Sequence, residues 1–132
     1  MTMPGHIRVS VRPIESGCSA YLDAINEMVA EGVRALLASE SGWAQAVLVD
    51  SEVAGVVTLS TDGEIAMYLE QEFQMKGVGS AVLPRTIQKA VNAGLRVNAK
   101  ARTGSGGAAL AQKLGFRMTH ERENEQFFVL HE

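Results

Sequence analysis

Apolar and polar residues alternate in several short stretches of the chain, a pattern typical of strands with one buried face. Ile7, Val9 and Val11 form the first such stretch, which ends at Pro13. Two β-rich stretches, 43–49 and 53–59, flank the turn at 50–52 and predict a β-hairpin. The predicted strands cover residues 7–12, 43–49, 53–59, 64–69, 95–101, 116–119 and 126–130.

Between the strands, apolar residues recur at intervals of three and four, the period of a helix with one buried face. The stretch 15–39 predicts two helices separated by Gly32. A helix with a kink at Pro84 is predicted over 78–93, and a short one over 107–114. The order of these elements predicts an α/β fold with a mixed, mostly antiparallel central sheet flanked by helices.

The 132 residues are enough for one core and too few for two, which predicts a single domain over residues 1–132. No apolar stretch approaches the ~20 residues of a membrane span, and the first residues do not resemble a signal peptide, so we expect a cytoplasmic protein without membrane partners. Cys18 is the only cysteine, and its predicted helical context favours a packed or surface residue over a nucleophile. His6, His120 and His131 lack ligand spacing, so no metal is expected.

Charge is divided unevenly along the chain. Residues 1–75 carry eleven acidic and three basic side chains, whereas residues 76–120 carry eight basic and no acidic ones. This segregation favours an anionic ligand held by the second half of the chain, although an ordinary solvated surface would explain it as well. Nucleic acid is not expected, since the net charge is −3 and the basic segment lacks interleaved aromatic residues.

A glycine-rich loop lies between the predicted strand 64–69 and the helix that follows it. Gly77 and Gly79 let the backbone approach a ligand closely, and Lys76 adds a positive charge. Because amides at a helix N-terminus bind phosphate groups, the sequence predicts a phosphate site here. The loop is too short for a Walker loop and lacks the third glycine of the dinucleotide motif.

These residues make the chain resemble the GNAT superfamily of acetyl-CoA-dependent N-acetyltransferases. Gln74, Gly77 and Gly79 match its Gln/Arg-x-x-Gly-x-Gly/Ala signature, and the stretches 67–73 and 113–116 are similar to its fourth strand and second motif. The resemblance implies a GNAT fold with acetyl-CoA as co-substrate, and a contact between pantetheine and the backbone of Leu69. It also implies a pyrophosphate site formed by Gln74, Met75, Lys76, Gly77, Val78, Gly79 and Ser80.

The family reaction is a direct attack of an amine on the thioester, helped by a base and often by an acid that protonates the departing thiolate. The position that commonly holds this acid, a tyrosine, is Ala111 here. Gly104 occupies a position where an asparagine often contacts pantetheine. The resemblance leaves Thr103 or Ser105 to make that contact instead.

Glu64 and Glu70, at the two ends of the strand 64–69, are the alternatives for the base, and Tyr68 is a third candidate for lining the acceptor cleft. An ordinary solvent-exposed position on the strand would account for each of these three residues as well. We therefore expect an N-acetyltransferase acting on an amine of a small molecule or a protein. The alternative is a non-catalytic acetyl-CoA-binding module that regulates a protein partner. Two roles remain open for residues 127–129: pairing with a second subunit in a homodimer, or packing in the core of the chain.

Overall fold

The computed structural model describes residues 8–15, 20–74 and 76–130. The predictions for His6, Ile7, Cys18, Met75 and His131 fall outside these residues. The predicted α/β class and the predicted order of elements are confirmed. The elements are β1 (Val9–Ile14), α1 (Glu27–Ala38), β2 (Gly42–Val49), β3 (Glu52–Ser60), β4 (Ile65–Leu69), α2 (Val78–Asn92), β5 (Asn98–Arg102), α3 (Gly106–Lys113), β6 (Phe116–Arg122) and β7 (Glu125–Leu130).

The first four strands form an antiparallel sheet in the order β1-β2-β3-β4. The predicted hairpin is confirmed: Asp50 and Ser51 form its turn with φ of 50° and 72°, a left-handed backbone that matches the twist of the strands. β1 ends at Ile14, so the predicted end at Pro13 is wrong. An edge strand tolerates proline, because one side of its backbone needs no hydrogen-bond partner.

The helix α1 runs without interruption from Glu27 to Ala38, so the predicted break at Gly32 is wrong. The helix instead begins after Asn26, whose side-chain oxygen accepts from the amides of Met28 at 2.9 Å and Val29 at 3.4 Å. Such a cap contributes about 1 kcal/mol to helix stability. Gly32 has an ordinary helical backbone, and there it costs about 1 kcal/mol relative to alanine.

Helices cover both faces of the first sheet. The helix α2 packs on one face, against a core that includes Val57 and Ile65. The helix α1 packs on the other face, against a core that includes Ala46 and Val56. Successive strand residues therefore belong to opposite layers. No helix in the described ranges combines the length and apolar character that crossing a membrane requires.

The last three strands form a second antiparallel sheet in the order β5-β7-β6, with α3 packed on one face. Because β7 lies between β5 and β6, both of its backbone edges are occupied within the chain. It has no free edge for a strand of a second subunit, and Phe128, which is 1% exposed, belongs to the core. β5 begins at Asn98, later than predicted.

The two sheets meet along β4 and β5, which are parallel and joined at one end only. In the described chain, a single bridge links Glu64 and Asn98, and the Asn98 amide donates to the Gly63 carbonyl at 2.9 Å. Gly63 has a φ of 90°, and a Cβ there would lie 2.1 Å from the Arg96 carbonyl oxygen, so this approach requires glycine. Past this bridge the strands lose their pairing, and we call the gap between them the split.

Candidate functional site

The N-terminus of α2 has backbone amides that the helix leaves unused. The first helical hydrogen bond runs from the Ala81 amide to the Gly77 carbonyl, at 3.1 Å. The amides of Val78, Gly79 and Ser80 precede it, and among the described residues no side chain caps them. By contrast, side chains cap α1 and α3. With no acidic residue in its first turn, the start of α2 offers free donors and positive potential to an anion.

Gly77 and Gly79 are needed for different reasons. Gly77 has a φ of 80°, a left-handed conformation that favours glycine, and a Cβ there would meet nothing within 4 Å. Gly79 has a helical backbone, but its Cβ would lie 2.7 Å from Leu110 Cδ2 and 2.9 Å from Met67 Cε. The absence of a side chain at Gly79 therefore lets α2 pack closely on α3 and β4, over the split.

The remaining loop residues hold this helix end against β4. Gln74 Nε2 donates to the Leu69 carbonyl at 2.9 Å, which ties the loop to the end of the strand. Val78 is buried in the core, whereas Lys76 and Ser80 are exposed beside the free amides. At the predicted phosphate loop, Lys76, Gly77 and Ser80 are thus exposed to solvent, whereas Val78 and Gly79 are buried.

The edge of β4 that borders the split has backbone groups without strand partners. The Glu70 amide donates to the Ala54 carbonyl of β3, so even-numbered residues of β4 direct their backbone groups toward β3. By alternation, the backbone groups of Ile65, Met67 and Leu69 point into the split. A free strand edge of this kind binds an extended chain that contributes amides of its own.

A cavity of about 120 Å³, the inner cavity, lies between the split and the helices α2 and α3. Its walls are mostly apolar and include Met67, Leu110 and Ala111, and Lys100 is the one charged side chain among the described residues that line it. Ala111 leaves this wall without a hydroxyl at the position considered for an acid.

A second concave site, the α1 groove, lies on the opposite face of the first sheet and has a volume of about 290 Å³. It is bounded by α1, β3 and β4. Its lining residues are Val29, Gly32, Val33, Leu36, Val56, Thr58, Ala66, Met67 and Tyr68. Met67 lines both the α1 groove and the inner cavity, so the two sites meet on the strand that borders the split.

Tyr68 and Glu70 form a hydrogen-bonded pair at the α1 groove. The Tyr68 hydroxyl donates to Glu70 Oε2 at 3.0 Å, and the Asn26 amide donates to Glu70 Oε1 at 3.0 Å. Burial raises the pKa of Tyr68 above its usual 10.0, and the hydrogen bond to Glu70 and the charge of that carboxylate act in the same direction. The phenol is therefore protonated near neutral pH, with a carboxylate placed to receive its proton.

The sequence from residue 11 to residue 116 matches the family model of the acetyltransferase (GNAT) family. The chain belongs to this family. No curated protein sequence matches the chain.

Solved GNAT structures share the fold at low sequence identity. A GNAT acetyltransferase of Elizabethkingia anophelis with acetyl-CoA bound aligns with a TM-score of 0.67 and 17% identity, covering 92% of this chain and 95% of that one. The IAA acetyltransferase of Bacillus cereus aligns with a TM-score of 0.67 and 17% identity, covering 92% and 97%. The PaiA N-acetyltransferase of Thermoplasma acidophilum in complex with coenzyme A aligns with a TM-score of 0.63 and 14% identity, covering 92% of this chain and 98% of that one.

Glu64, the other candidate base, lies at the joined end of the split in this GNAT domain. Its Oε2 is 3.9 Å from Lys100 Nζ, and both side chains are partly exposed. Such a pair contributes no more than about 1 kcal/mol. Tyr68 and Glu70 are thus brought together, whereas Glu64 lies at the opposite end of β4. Of these three side chains, Tyr68 is the one that lines the α1 groove.

The residues predicted to contact pantetheine from the α3 side form the turn before that helix. Ser105 Oγ accepts from the Ala108 amide at 3.2 Å and caps α3, which leaves its hydroxyl proton free to be donated. Thr103 donates its hydroxyl to Glu121, and Gly104 has a φ of 75°. Of the two side chains, Ser105 therefore keeps a donor available.

One histidine, His120, lies within the described residues. Its ring stacks on Phe127 with centroids 4.3 Å apart. In the same ranges, no three His, Cys, Asp or Glu side chains converge as a metal site would require.

Two parts of the site were not predicted from the sequence. Asn26 contacts Glu70 from 44 positions away in the chain, a separation that no local pattern encodes. Val29, Val33 and Leu36 follow a helical period, which indicates a buried face but not that this face borders a groove. A capping residue before an apolar helix is the one sequence signal that could have pointed to Asn26.

Replacing Tyr68 with phenylalanine is expected to lower the free energy of unfolding by about 1 kcal/mol near neutral pH, because the hydrogen bond to Glu70 is lost. Since the folded pKa of Tyr68 is raised, this stabilisation is fully present below the unfolded pKa of 10.0 and is lost as pH rises through the folded value. Urea unfolding of both proteins should show a difference that is constant at neutral pH and shrinks above pH 10.0. A difference that stays constant into the alkaline range would contradict the raised pKa.

Proposed function

We propose that this GNAT domain transfers an acetyl group from acetyl-CoA to a primary amine. The observation that carries the proposal is the meeting of two concave sites at Met67, where the split opens the sheet between its two faces. A donor in the inner cavity and an acceptor in the α1 groove would approach each other there without crossing a paired strand.

The donor side fits the parts of acetyl-CoA. The free amides of Val78, Gly79 and Ser80 suit the pyrophosphate, and Lys76 adds a positive charge. The pantetheine arm is an extended chain with amides. In the split it would pair with the backbone groups of Met67 and with the amide of Leu69, whose carbonyl already accepts from Gln74. The Elizabethkingia anophelis relative has acetyl-CoA bound, and the Thermoplasma acidophilum relative has coenzyme A bound.

The acceptor side supplies a route for the proton of the incoming ammonium. The ammonium gives a proton to the oxygen of Tyr68 while the phenol passes its own proton to Glu70 Oε2, 3.0 Å away. The neutral nitrogen then attacks the thioester carbon, a C–N bond forms and the C–S bond breaks. The sulfur leaves as the thiolate of CoA, and the nitrogen releases its second proton to solvent water. We therefore assign the base role to Glu70, acting through Tyr68, rather than to Glu64.

The departing thiolate has no tyrosine at position 111 to protonate it. A thiol has a pKa of about 8.5, so its thiolate leaves readily and takes a proton from solvent near neutral pH. Lys100 is the one charged side chain among the described residues that line the inner cavity, and it would stabilise that charge. The lack of a dedicated acid would slow the reaction without preventing it.

Calorimetric titration with acetyl-CoA and release of free thiol in the presence of an amine panel test the proposal together. We expect the protein to bind acetyl-CoA and to release free thiol in the presence of at least one primary amine. Tight binding without turnover of any amine would favour the non-catalytic acetyl-CoA-binding module that Ala111 suggests. Absence of binding would overturn both functions.

A further inference from the structure

Among the described residues that line the α1 groove, none has a charged side chain. Apolar side chains from α1, β3 and β4 form its walls, and the hydroxyls of Thr58 and Tyr68 are its polar groups. Its volume of about 290 Å³ lies just below the range for small-molecule pockets, about 300–1,000 Å³. A ligand that fits this groove is therefore small, and most of its surface contacts apolar side chains rather than charged ones.

Gly32 enlarges this groove, and neither backbone nor packing explains a glycine there. Its φ is not positive, it lies in the middle of α1, and a Cβ at this position would meet nothing within 4 Å. Alanine would fit and would favour the helix. What the glycine provides is open space on the side of α1 that lines the groove.

Resting on the proposed function, we infer that the acceptor is a primary amine carried on an uncharged apolar body, and that Gly32 determines how large this body can be. The ammonium lies at the Tyr68 hydroxyl, backed by Glu70, and the body extends along Val29, Val33 and Leu36 toward Gly32. The reaction remains the one described above, with one C–N bond formed and one C–S bond broken.

Other classes of amine fit this groove poorly. A second ammonium, as in a polyamine, or a carboxylate, as in an amino acid, would lose its hydration there, and the lining offers no opposite charge in return. A peptide would leave its backbone amides short of partners, since Thr58 and Tyr68 are the only polar side chains among the lining residues that the structure describes. Of these classes, an apolar amine is the one whose ammonium can bind at the Tyr68 hydroxyl while its carbon body packs against the apolar walls.

The matched variants are Gly32→Phe and Ala38→Phe. Both add the same ring to α1, but Ala38 is exposed and does not line the groove. Ethylamine, 2-phenylethylamine, spermidine and β-alanine serve as acceptors, and calorimetry measures acetyl-CoA affinity and the binding of 2-phenylethylamine to the CoA-saturated protein.

We expect the wild type to use 2-phenylethylamine with a kcat/KM at least about tenfold above that for spermidine or β-alanine. Gly32→Phe should raise the KM for 2-phenylethylamine by about tenfold or more, because filling a pocket by several carbons costs at least this factor. The same variant should change ethylamine turnover and acetyl-CoA affinity by less than about twofold. Ala38→Phe should resemble the wild type throughout.

Failure of the inference and failure of the proposed function give different results. Turnover that prefers spermidine or β-alanine, or a KM for 2-phenylethylamine that is unchanged in Gly32→Phe, overturns the inference and leaves acetyl transfer standing. If no amine is acetylated, the proposed acetyl transfer is wrong, and the binding titration alone tests the inference. Binding of 2-phenylethylamine to the wild type that is lost in Gly32→Phe supports an apolar amine site in the groove. Absence of binding to the wild type overturns that site.

Discussion

Replacing Ser80 with aspartate is expected to weaken acetyl-CoA binding by about 100-fold while stabilising the fold slightly. Ser80 is exposed in the first turn of α2, next to the amides proposed to hold the pyrophosphate. Two like charges at 4 Å repel by about 4 kcal/mol at an effective dielectric constant of 20, and salt reduces this value. A tenfold change in affinity corresponds to about 1.4 kcal/mol, so a loss of two orders of magnitude is a moderate expectation.

The same substitution should raise the free energy of unfolding by about 0.5 kcal/mol, because a carboxylate near a helix N-terminus interacts favourably with the helix dipole. Binding and stability are thus expected to change in opposite directions, which general damage to the fold would not produce. Ser80→Asn has nearly the same shape without the charge and serves as the control. Calorimetry with acetyl-CoA and urea unfolding of the three proteins provide the measurements.

An affinity of Ser80→Asp within threefold of the Asn control would argue against an anion at the start of α2. Substitutions of Gly79 would be harder to interpret. A Cβ at this position lies 2.7 Å from Leu110 Cδ2 and 2.9 Å from Met67 Cε, so any side chain there disturbs packing as well as the phosphate approach. Ser80 separates the two effects because its side chain is already accommodated.

Features encoded by nearby residues could be predicted from the sequence. The β2–β3 hairpin follows from the short turn at residues 50–52 between two β-rich stretches, and the start of a helix directly after the loop follows from Gly77 and the apolar period beyond it. The glycine at position 32 was misleading, because a helix tolerates glycine when its remaining positions pack well, as Ala30 and Val33 do.

The arrangement of the candidate catalytic groups could not be read from the sequence. Glu64 and Glu70 flank β4 symmetrically in the sequence, and what distinguishes them is tertiary. Asn26 at the start of α1 donates to Glu70, whereas Lys100 on β5 pairs with Glu64. Both partners are more than thirty positions away in the chain. The α1 groove has the same origin, since its walls come from a helix and two strands that meet only in the folded chain.

Replacing Glu70 with glutamine is expected to lower kcat/KM for the preferred amine by about 100-fold near neutral pH, because general-base assistance typically contributes a factor of about 10² to 10⁴. Glutamine preserves the shape of the side chain. Its amide oxygen can still accept from the Asn26 amide, and its nitrogen can donate to the Tyr68 oxygen. The acetyl-CoA affinity should therefore stay within about twofold, since the donor site lies on the other face of the sheet.

The pH profile distinguishes a lost base from a disturbed site. An alkyl ammonium has a pKa of about 10.4, so at high pH a growing share of the acceptor arrives already neutral and needs no base. The deficit of Glu70→Gln should therefore narrow steadily as the pH rises toward that value, whereas a distorted site would keep a constant deficit. Glu64→Gln, which loses only the partly exposed contact with Lys100, is the matched control. If Glu64→Gln shows the larger, pH-dependent loss, the base is Glu64 and the relay through Tyr68 is wrong.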